Sequence, residues 1–413
     1  MSETLLAPIA RRIALLVTLD TKAEEASFVA ACIRQRGHVP WIVDLSIAGV
    51  SPFPGDTPRE VVAAAAGTTV EAIAALQRAN AMEVAARGAA RLVLAMVERG
   101  DVQAVIGIGG GTGTWLGTTV MRELPLGFPK LMVSTLGSRD GTTDIMVMPS
   151  VADVSGVNRL LGPILANAAA AVCGMAEGVP VTLDTSRPTI ALTMFGVTTR
   201  GGTLVRRFLE AAGCEVVVFH ANGTGGRTME ALIARGTFAG ILDWTTSEIT
   251  DEIAGGICTA GPDRLEAAGA HGVPQVVVPG AVDVINIRGA IPRRFAKRTY
   301  HMHLPTVPLI RTSVRESREV GAFIARKLNA ARGPIRVLIP EGGYSALDIA
   351  GGPFEDRKAN AAFVTALRAD LRPEISVEVL PVHINSEGFA RAAADAMLAL
   401  IGVPSATTPV GAR

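Results

Sequence analysis

The sequence is poor in aromatic residues and carries almost no net charge. Only 4% of its 413 residues are Phe, Trp or Tyr, whereas 44 are glycine and 49% are hydrophobic. Its 39 basic and 38 acidic side chains leave a formal net charge of +1. This balance creates no field that would attract nucleic acid or an anionic membrane surface. A chain rich in small apolar residues and glycine instead suits an α/β protein with close helix-on-sheet packing.

Cysteines and long apolar runs are also scarce. The four cysteines are too far apart to form a CxxC pair, which argues against a disulfide framework or a zinc knuckle. The longest uncharged run, residues 160–176, contains Pro and Asn and falls short of the ~20 residues of a membrane span. The amino terminus, MSETLLAPIARR, reverses the charge order of a signal peptide. We therefore expect a cytoplasmic protein with no membrane partner.

Short apolar runs alternate with alanine-rich helical stretches, which indicates mainly parallel sheets covered by helices on both faces. The pattern repeats along the chain. RRIALLVTLDTKA (11–23) corresponds to RPTIALTMFGVTT (187–199), and VQAVIGIGGGTG (102–113) corresponds to FAGILDWTTSE (238–248). We predict two Rossmann-like, doubly wound α/β domains that arose by internal duplication. The predicted boundaries are 1–184 for the first domain, 185–405 for the second and 406–413 for a disordered tail.

A glycine-rich stretch, GIGGGTGT, occupies residues 107–114 and matches neither the Walker A pattern nor GxGxxG. Ligands of doubly wound sheets bind beyond the carboxyl ends of the strands, where this stretch is expected. Consecutive glycines let successive backbone N–H groups face an anion. We predict a phosphate-binding loop; the alternative is a tight turn that needs glycine only for packing. The predicted nucleotide-binding residues are Gly109, Gly110, Gly111, Thr112, Gly113 and Thr114.

Two other strand exits of the first half carry polar residues. In TLDTKAEE (18–25), Lys22 would neutralise a phosphate and Asp20 would hold a metal or a ribose hydroxyl, unless the segment is only a helix N-cap. A second polar segment opens STLGSRDGTTD (134–144). A magnesium ion bound mostly through phosphates needs only one carboxylate. The further predicted ligands are Asp20, Thr21, Lys22, Ser134 and Thr135 for the nucleotide, and Asp20, then Asp144, for magnesium.

The second half contains another glycine-rich loop, FHANGTGGR (219–227), before a predicted helix. We predict a second anion site there, and we take His220 and Glu341 as candidate acid–base catalysts. His301 and His303 lie two apart, as metal ligands on one face of a strand do, but no third ligand is identifiable from spacing. The residues of the predicted second loop site are Thr198, Asn222, Gly223, Thr224, Gly225 and Gly226.

The motifs together resemble one known family. TLDTKAEE, IGIGGGTGT, PKLMVSTLGS, DIMVMPSVADVSGVNRLL and VFHANGTGGRTMEALI occur in the order found in the Tm-one-like ATP-binding domain family. The resemblance extends from about residue 12 to 400. It implies two Rossmann-like domains, a homodimer, and binding of ATP with magnesium. The family's plant relative binds a viral replication protein, a specialised partner that we do not expect here. The stretch 134–144 is shorter than the corresponding loop of the family. The sequence therefore leaves undecided whether this loop closes over a bound nucleotide.

Three functions are compatible with these features. The first is an ATP-dependent enzyme that acts on a small organic substrate such as a carboxylate or sugar acid. The second is a nucleotide-regulated interaction module without turnover. The third, weaker one is an enzyme that binds a phosphosugar and never ATP.

Overall fold

The computed structural model describes residues 9–136, 143–178, 181 and 186–404. The chain divides into two compact units, Met1–Thr182 and Leu183–Arg413. The tail predicted at 406–413 lies outside the described residues, as does most of the segment that follows Leu136.

Unit 1 is a five-stranded parallel sheet with the order β2-β1-β3-β4-β5. Its strands are β1 Arg12–Val17, β2 Val39–Asp44, β3 Ala104–Gly109, β4 Lys130–Ser134 and β5 Met146–Pro149. Its helices are α1 Leu19–Gln35, α2 Arg59–Ala65, α3 Val70–Ala74, α4 Arg78–Glu98, α5 Gly111–Arg122 and α6 Leu161–Ala176.

The continuous apolar run of β1 explains why this sheet is covered on both faces. Ile13, Leu15 and Val17 join a core cluster with α1 and α6, whereas Ala14 and Leu16 join another with α4 and α5. Successive residues of a strand point to opposite faces, so a strand between two helical layers must be apolar at every position. The uncharged run at 160–176 forms α6, which buries one face against this sheet and leaves the other partly exposed.

Unit 2 contains a six-stranded parallel sheet and a small antiparallel one. The order of the parallel sheet is β14-β13-β9-β8-β6-β7 and that of the small sheet is β10-β12-β11. The strands are β6 Thr189–Met194, β7 Glu215–His220, β8 Gly240–Asp243, β9 Gln275–Val277, β10 Val284–Asn286, β11 Tyr300–Leu304, β12 Val307–Arg311, β13 Ile335–Pro340 and β14 Ser376–Leu380. The helices are α7 Thr199–Ala211, α8 Thr224–Ala234, α9 Ser247–Ala254, α10 Ala267–Ala270, α11 Val314–Asn329, α12 Arg357–Asp370 and α13 Glu387–Ile401.

The two parallel sheets repeat one topology. In both units the first strand lies between the second and the third, and the fourth follows the third: β2-β1-β3-β4 and β7-β6-β8-β9. These equivalences, β1 with β6 and β3 with β8, are those expected from the sequence repeat. The prediction of two Rossmann-like α/β domains with mainly parallel sheets is confirmed. The small sheet β10-β12-β11, inserted between β9 and β13, was not anticipated.

No helix in the described part of the chain is both long and apolar enough to cross a lipid bilayer.

Two helical glycines, Gly174 in unit 1 and Gly321 in unit 2, test how tightly their helices are packed. A Cβ at Gly321 of α11 would lie 2.5 Å from the backbone oxygen of Phe363 on α12. We expect Gly321→Ala to lower the free energy of unfolding by about 1–3 kcal/mol, because the helices must move apart. Gly174 of α6 is exposed, with no neighbour within 4 Å of a Cβ. Gly174→Ala should therefore raise stability by about 0.5–1 kcal/mol through helix propensity. Urea denaturation of both variants measures the difference, and equal midpoints would contradict this packing.

Candidate functional site

The strand order of unit 1 creates a crevice at the carboxyl ends of β1 and β3. The chain leaves β1 through α1 on one face of the sheet and leaves β3 through α5 on the other face. Loops that diverge in this way at a topological switch point leave room for a ligand between them. Because neighbouring strands lie about 4.8 Å apart, the two exits are side by side. The first exit begins at Thr18 and the second at Gly110.

Packing explains only part of the glycine content of the second exit. A Cβ at Gly109 would lie 2.6 Å from Gly113 Cα, and a Cβ at Gly113 would lie 3.1 Å from Ile108 O. These two glycines therefore let α5 turn back tightly on β3. At Gly110 a Cβ would meet nothing closer than 3.9 Å, and at Gly111 nothing within 4 Å. The packing alternative thus accounts for the inner glycines but not for the two outer ones.

The same turn presents unused hydrogen-bond donors. Thr114 N donates to Gly110 O, which closes the first turn of α5. Among the described residues, the preceding amides of Gly111, Thr112 and Gly113 have no acceptor, and Gly110 supplies no side-chain cap. Unpaired amides at the positive end of a helix dipole attract anions.

The hydroxyl groups of this region divide into two kinds. Thr114 Oγ1 donates to Gly109 O at 3.1 Å and lies 2.7 Å from Ser134 Oγ, which also accepts from Leu136 N. Thr114 and Ser134 therefore hold the turn in shape and have little capacity left for a ligand. Thr112 Oγ1 instead accepts a hydrogen bond from Arg78 Nη2 at 2.8 Å. Arg78 is the first residue of α4 and was not predicted, because nothing in its local sequence connects it with a loop 34 residues later.

A carboxylate that was not predicted from the sequence, Asp153, also lies beside the glycine turn. The Cβ position at Gly110 lies 3.9 Å from Asp153 Oδ1 and 3.9 Å from Thr135 Oγ1. Asp153 is exposed, and its carboxylate accepts from Val154 N. The predicted Thr135 is thus brought to the turn, and Asp153 is brought there with it.

The two predicted metal ligands lie elsewhere in unit 1. Asp20 Oδ2 lies 3.1 Å from the Cβ position of Gly49, on the β2 side of β1, away from β3. Burial raises the pKa of the Asp20 carboxyl, and a hydrogen bond from Ser46 partly opposes that rise. Asp144 pairs with Lys130 Nζ at 2.9 Å, before β5 and at the start of β4. It therefore stands at the amino edge of the sheet, opposite the glycine turn.

The amino end of α1 is already capped within the protein. Leu19 N donates to Asp44 Oδ1 and Asp20 N donates to Ser46 Oγ, so these amides are not available to a ligand. Thr21 Oγ1 lies 3.1 Å from Thr18 Oγ1. At Lys22 the backbone leaves helical geometry, with φ −130° and ψ 28°, and its half-buried side chain has no described ionic partner. In this segment, Lys22 is therefore the residue whose side chain remains available to bind a ligand.

The second glycine-rich loop does bind an anion, but that anion is a side chain of the protein. Glu248 Oε1 accepts from Gly223 N at 2.6 Å and from Gly226 N at 3.1 Å, and Gly225 N donates to Asn222 Oδ1. A Cβ at Gly226 would lie 2.1 Å from Glu248 Oε2. These glycines make room for a buried carboxylate, so the predicted second anion site is filled from within.

A buried arginine completes this arrangement. Arg264 Nε donates to Glu248 Oε2 at 2.7 Å, and its two terminal nitrogens donate to the two oxygens of Asp243 at 2.5 and 2.7 Å. All three side chains are at most 1% exposed. Charges held in such surroundings need full pairing, because an unpaired buried ion is very costly. The network ties α9 to β8 and to the loop before α8.

The predicted catalytic pair is not brought together. His220 ends β7 and stacks on Phe195 with ring centroids 5.4 Å apart, while Glu341 is an exposed residue after β13. Four strand spacings separate β7 from β13, or roughly 19 Å. Thr198 is buried and pairs with Thr245 through their hydroxyls at 2.8 Å. His301 and His303 lie on the exposed strand β11, and in the described part of the chain no group of three or more His, Cys, Asp or Glu could hold a metal.

Fold and site define a class of protein: two related α/β units, the first with an open glycine turn at its switch point. Residues 11–180 match the N-terminal domain, and residues 187–401 the C-terminal domain, of the uncharacterised protein family UPF0261. The chain belongs to this family. The resemblance inferred from its motifs is thereby confirmed.

Relatives from bacteria match over almost their whole length. A UPF0261 protein of Clostridium tetani is 39% identical over 397 residues, 94% of this chain and 98% of the relative. One of Rhizobium meliloti is 41% identical over 395 residues, 93% of this chain and 97% of the relative. The ToMV resistance protein Tm-1(GCR237) of Solanum lycopersicum is 39% identical over 315 residues, which are 72% of this chain but 41% of the tomato protein.

The buried Glu248–Arg264 pair gives a stability prediction. Glu248→Gln keeps the shape but turns an amide N–H toward Arg264 and removes one charge from the network. We expect the free energy of unfolding to fall by about 3 kcal/mol. The control is Glu319→Gln, which breaks an exposed pair with Arg315 on α11 and should cost less than about 0.5 kcal/mol. Urea denaturation at neutral pH compares the two; a Glu248→Gln midpoint as high as the control's would show that the pair is dispensable.

Proposed function

We propose that unit 1 binds the phosphate groups of a nucleotide, as its magnesium complex, at the turn formed by residues 110–113. The observation that carries this proposal is the pair of bare outer glycines. Among the described residues nothing packs closely on Gly110 and Gly111, and no acceptor pairs with the three amides of Gly111, Thr112 and Gly113 at the positive end of α5. A backbone without side chains lets phosphate oxygens approach those amides directly.

Two cationic side chains support an anion at this position. Arg78 donates to Thr112 from α4, so its guanidinium stands beside the first turn of α5. Lys22 follows the neighbouring strand β1 and has no described ionic partner. A guanidinium and an ammonium on two sides of the switch point would neutralise a polyphosphate in place of the lysine of a Walker A loop.

Magnesium fits this turn only as a companion of the nucleotide. Such an ion takes its ligands mostly from phosphates and water and needs one or two protein oxygens. Asp153 and Thr135 lie beside Gly110 and could supply them. When bound, the ion would offset the negative charge of the phosphates, while the turn and Arg78 fix their position.

The family resemblance supports ATP as the nucleotide and a cytoplasmic homodimer as the working form. An ATP-dependent reaction on a small organic substrate is the fuller version of the proposal, because phosphoryl transfer relies mainly on positioning and charge neutralisation. His220 and Glu341 do not serve one reaction centre in that version, since roughly 19 Å separates their strands. ATP binding without turnover would instead identify a nucleotide-regulated interaction module.

Calorimetric titration of wild type and of Gly111→Val with ATP tests the proposal. Each titration is made once with magnesium and once with EDTA. Gly111→Val fills the space in front of the amides, and in the described part of the chain nothing lies within 4 Å of a Cβ at this position. We expect saturable binding of magnesium–ATP to wild type and a loss of about 100-fold in affinity in the variant. Arg78→Ala should lose about 10-fold, the value of one charge-assisted contact.

The matched control is Gly174→Val, the same change at an exposed helical glycine of the same unit. It should bind magnesium–ATP like wild type. Absence of binding to wild type, or equal affinity in Gly111→Val and wild type, would overturn the proposal.

A further inference from the structure

A second concave site lies in unit 2, and it is distinct from both glycine-rich loops. A cavity of about 470 Å³ opens at the carboxyl ends of β6, β13 and β14. Gly196, Val197 and Arg200 border it after β6, Ala346 and Ile349 after β13, and His383, Asn385 and Ser386 after β14. A volume in this range suits a small organic molecule.

The charge that borders this cavity is positive. Among the described residues, Arg200 is the only charged one that lines the cavity, and no described carboxylate pairs with its guanidinium. The amino ends of α7 and α13 both border the same space. Ser386 Oγ accepts from Phe389 N, so its own O–H remains free to donate. The described lining residues therefore offer hydrogen-bond donors and a fixed positive charge, and none of them is acidic.

The rest of the polar wall is a rigid frame whose groups are already paired. His383 Nε2 lies 2.9 Å from Ser345 O and must donate to it, while His383 Nδ1 accepts from Asn385 N. Both nitrogens of the imidazole are thus engaged within the protein. Asn385 Oδ1 accepts from Gly201 N, and its Nδ2 donates to Val197 O. This frame connects the exits of β6, β13 and β14 and keeps Arg200 facing a preformed space.

From this arrangement we propose that the cavity binds a small organic acid, with its carboxylate on Arg200 and Ser386 and its apolar body against Val197, Ala346 and Ile349. A guanidinium and a hydroxyl can hold the two oxygens of one carboxylate. The apolar half of the wall favours an acid with a hydrocarbon body over inorganic phosphate. This assignment does not depend on nucleotide binding by unit 1.

The experiment titrates the full chain with benzoate and hexanoate, followed by saturation-transfer NMR and calorimetry. Benzamide and hexanamide serve as neutral counterparts of the same shape, and inorganic phosphate as an anion without an apolar body. We expect both carboxylates to bind saturably and at least about 10-fold more tightly than the amides or phosphate. Arg200→Gln should lose about 10-fold or more of the carboxylate affinity.

Two further variants separate binding from folding. Arg206→Gln changes an exposed arginine on the same helix, paired with Glu210, and should leave carboxylate affinity unchanged. Ala346→Phe fills the cavity from an exposed position and should abolish binding without lowering the melting temperature.

Equal binding of amides and carboxylates, binding unaffected by Arg200→Gln, or no saturable binding of either acid would overturn the proposal. Phosphate binding through Arg200 without carboxylate binding would overturn the organic-acid assignment. Because no probe is a nucleotide, these results are independent of the ATP titration.

Discussion

The parallel pairing of β1 with both β2 and β3 is the constraint on which the candidate site of unit 1 depends. Parallel strands bring their carboxyl ends to one edge. Because β2 and β3 lie on opposite sides of β1, the helices that follow β1 and β3 pack on opposite faces of the sheet. The glycine turn therefore lies next to the exit of β1, and α1 leaves that exit on the other face of the sheet. Asp144 illustrates the same rule from the other side, since its position at the amino edge separates it from the turn.

The two glycine-rich loops follow one physical rule with different outcomes. In each, glycines clear a space in front of backbone amides at the start of a helix, and amides in that position favour a negative charge. In unit 2 the charge is Glu248, delivered by α9 and balanced by Arg264. In unit 1 no described side chain takes that place before α5. The two loops do not occupy equivalent positions of the repeat, because the first follows β3 and the second follows β7, the counterpart of β2.

Part of the fold and of the candidate site could be predicted from the sequence. The apolar run of β1, without alternation, could only be a strand covered on both faces, and the repeat between 11–23 and 187–199 marked the equivalent first strands. The placement of GIGGGTGT at a strand exit followed from the same pattern. The side chains that contact those loops could not be predicted. Arg78, Asp153 and Glu248 are separated from their loops by 34, 43 and 22–25 residues in sequence, and no periodicity encodes such contacts.

The sequence by itself determined the fold class, the duplication and the positions of the glycine-rich turns, because these depend on local periodicity and on the conformational range of glycine. Tertiary structure alone decided which turn is open and which is filled, since that depends on whether a distant carboxylate is brought to the amides. It also decided that His220 and Glu341 stand at separate strands, and that Arg200 faces a preformed cavity. Spacing along a chain specifies neighbours within one helix or strand, whereas the order of strands in a sheet determines which loops meet.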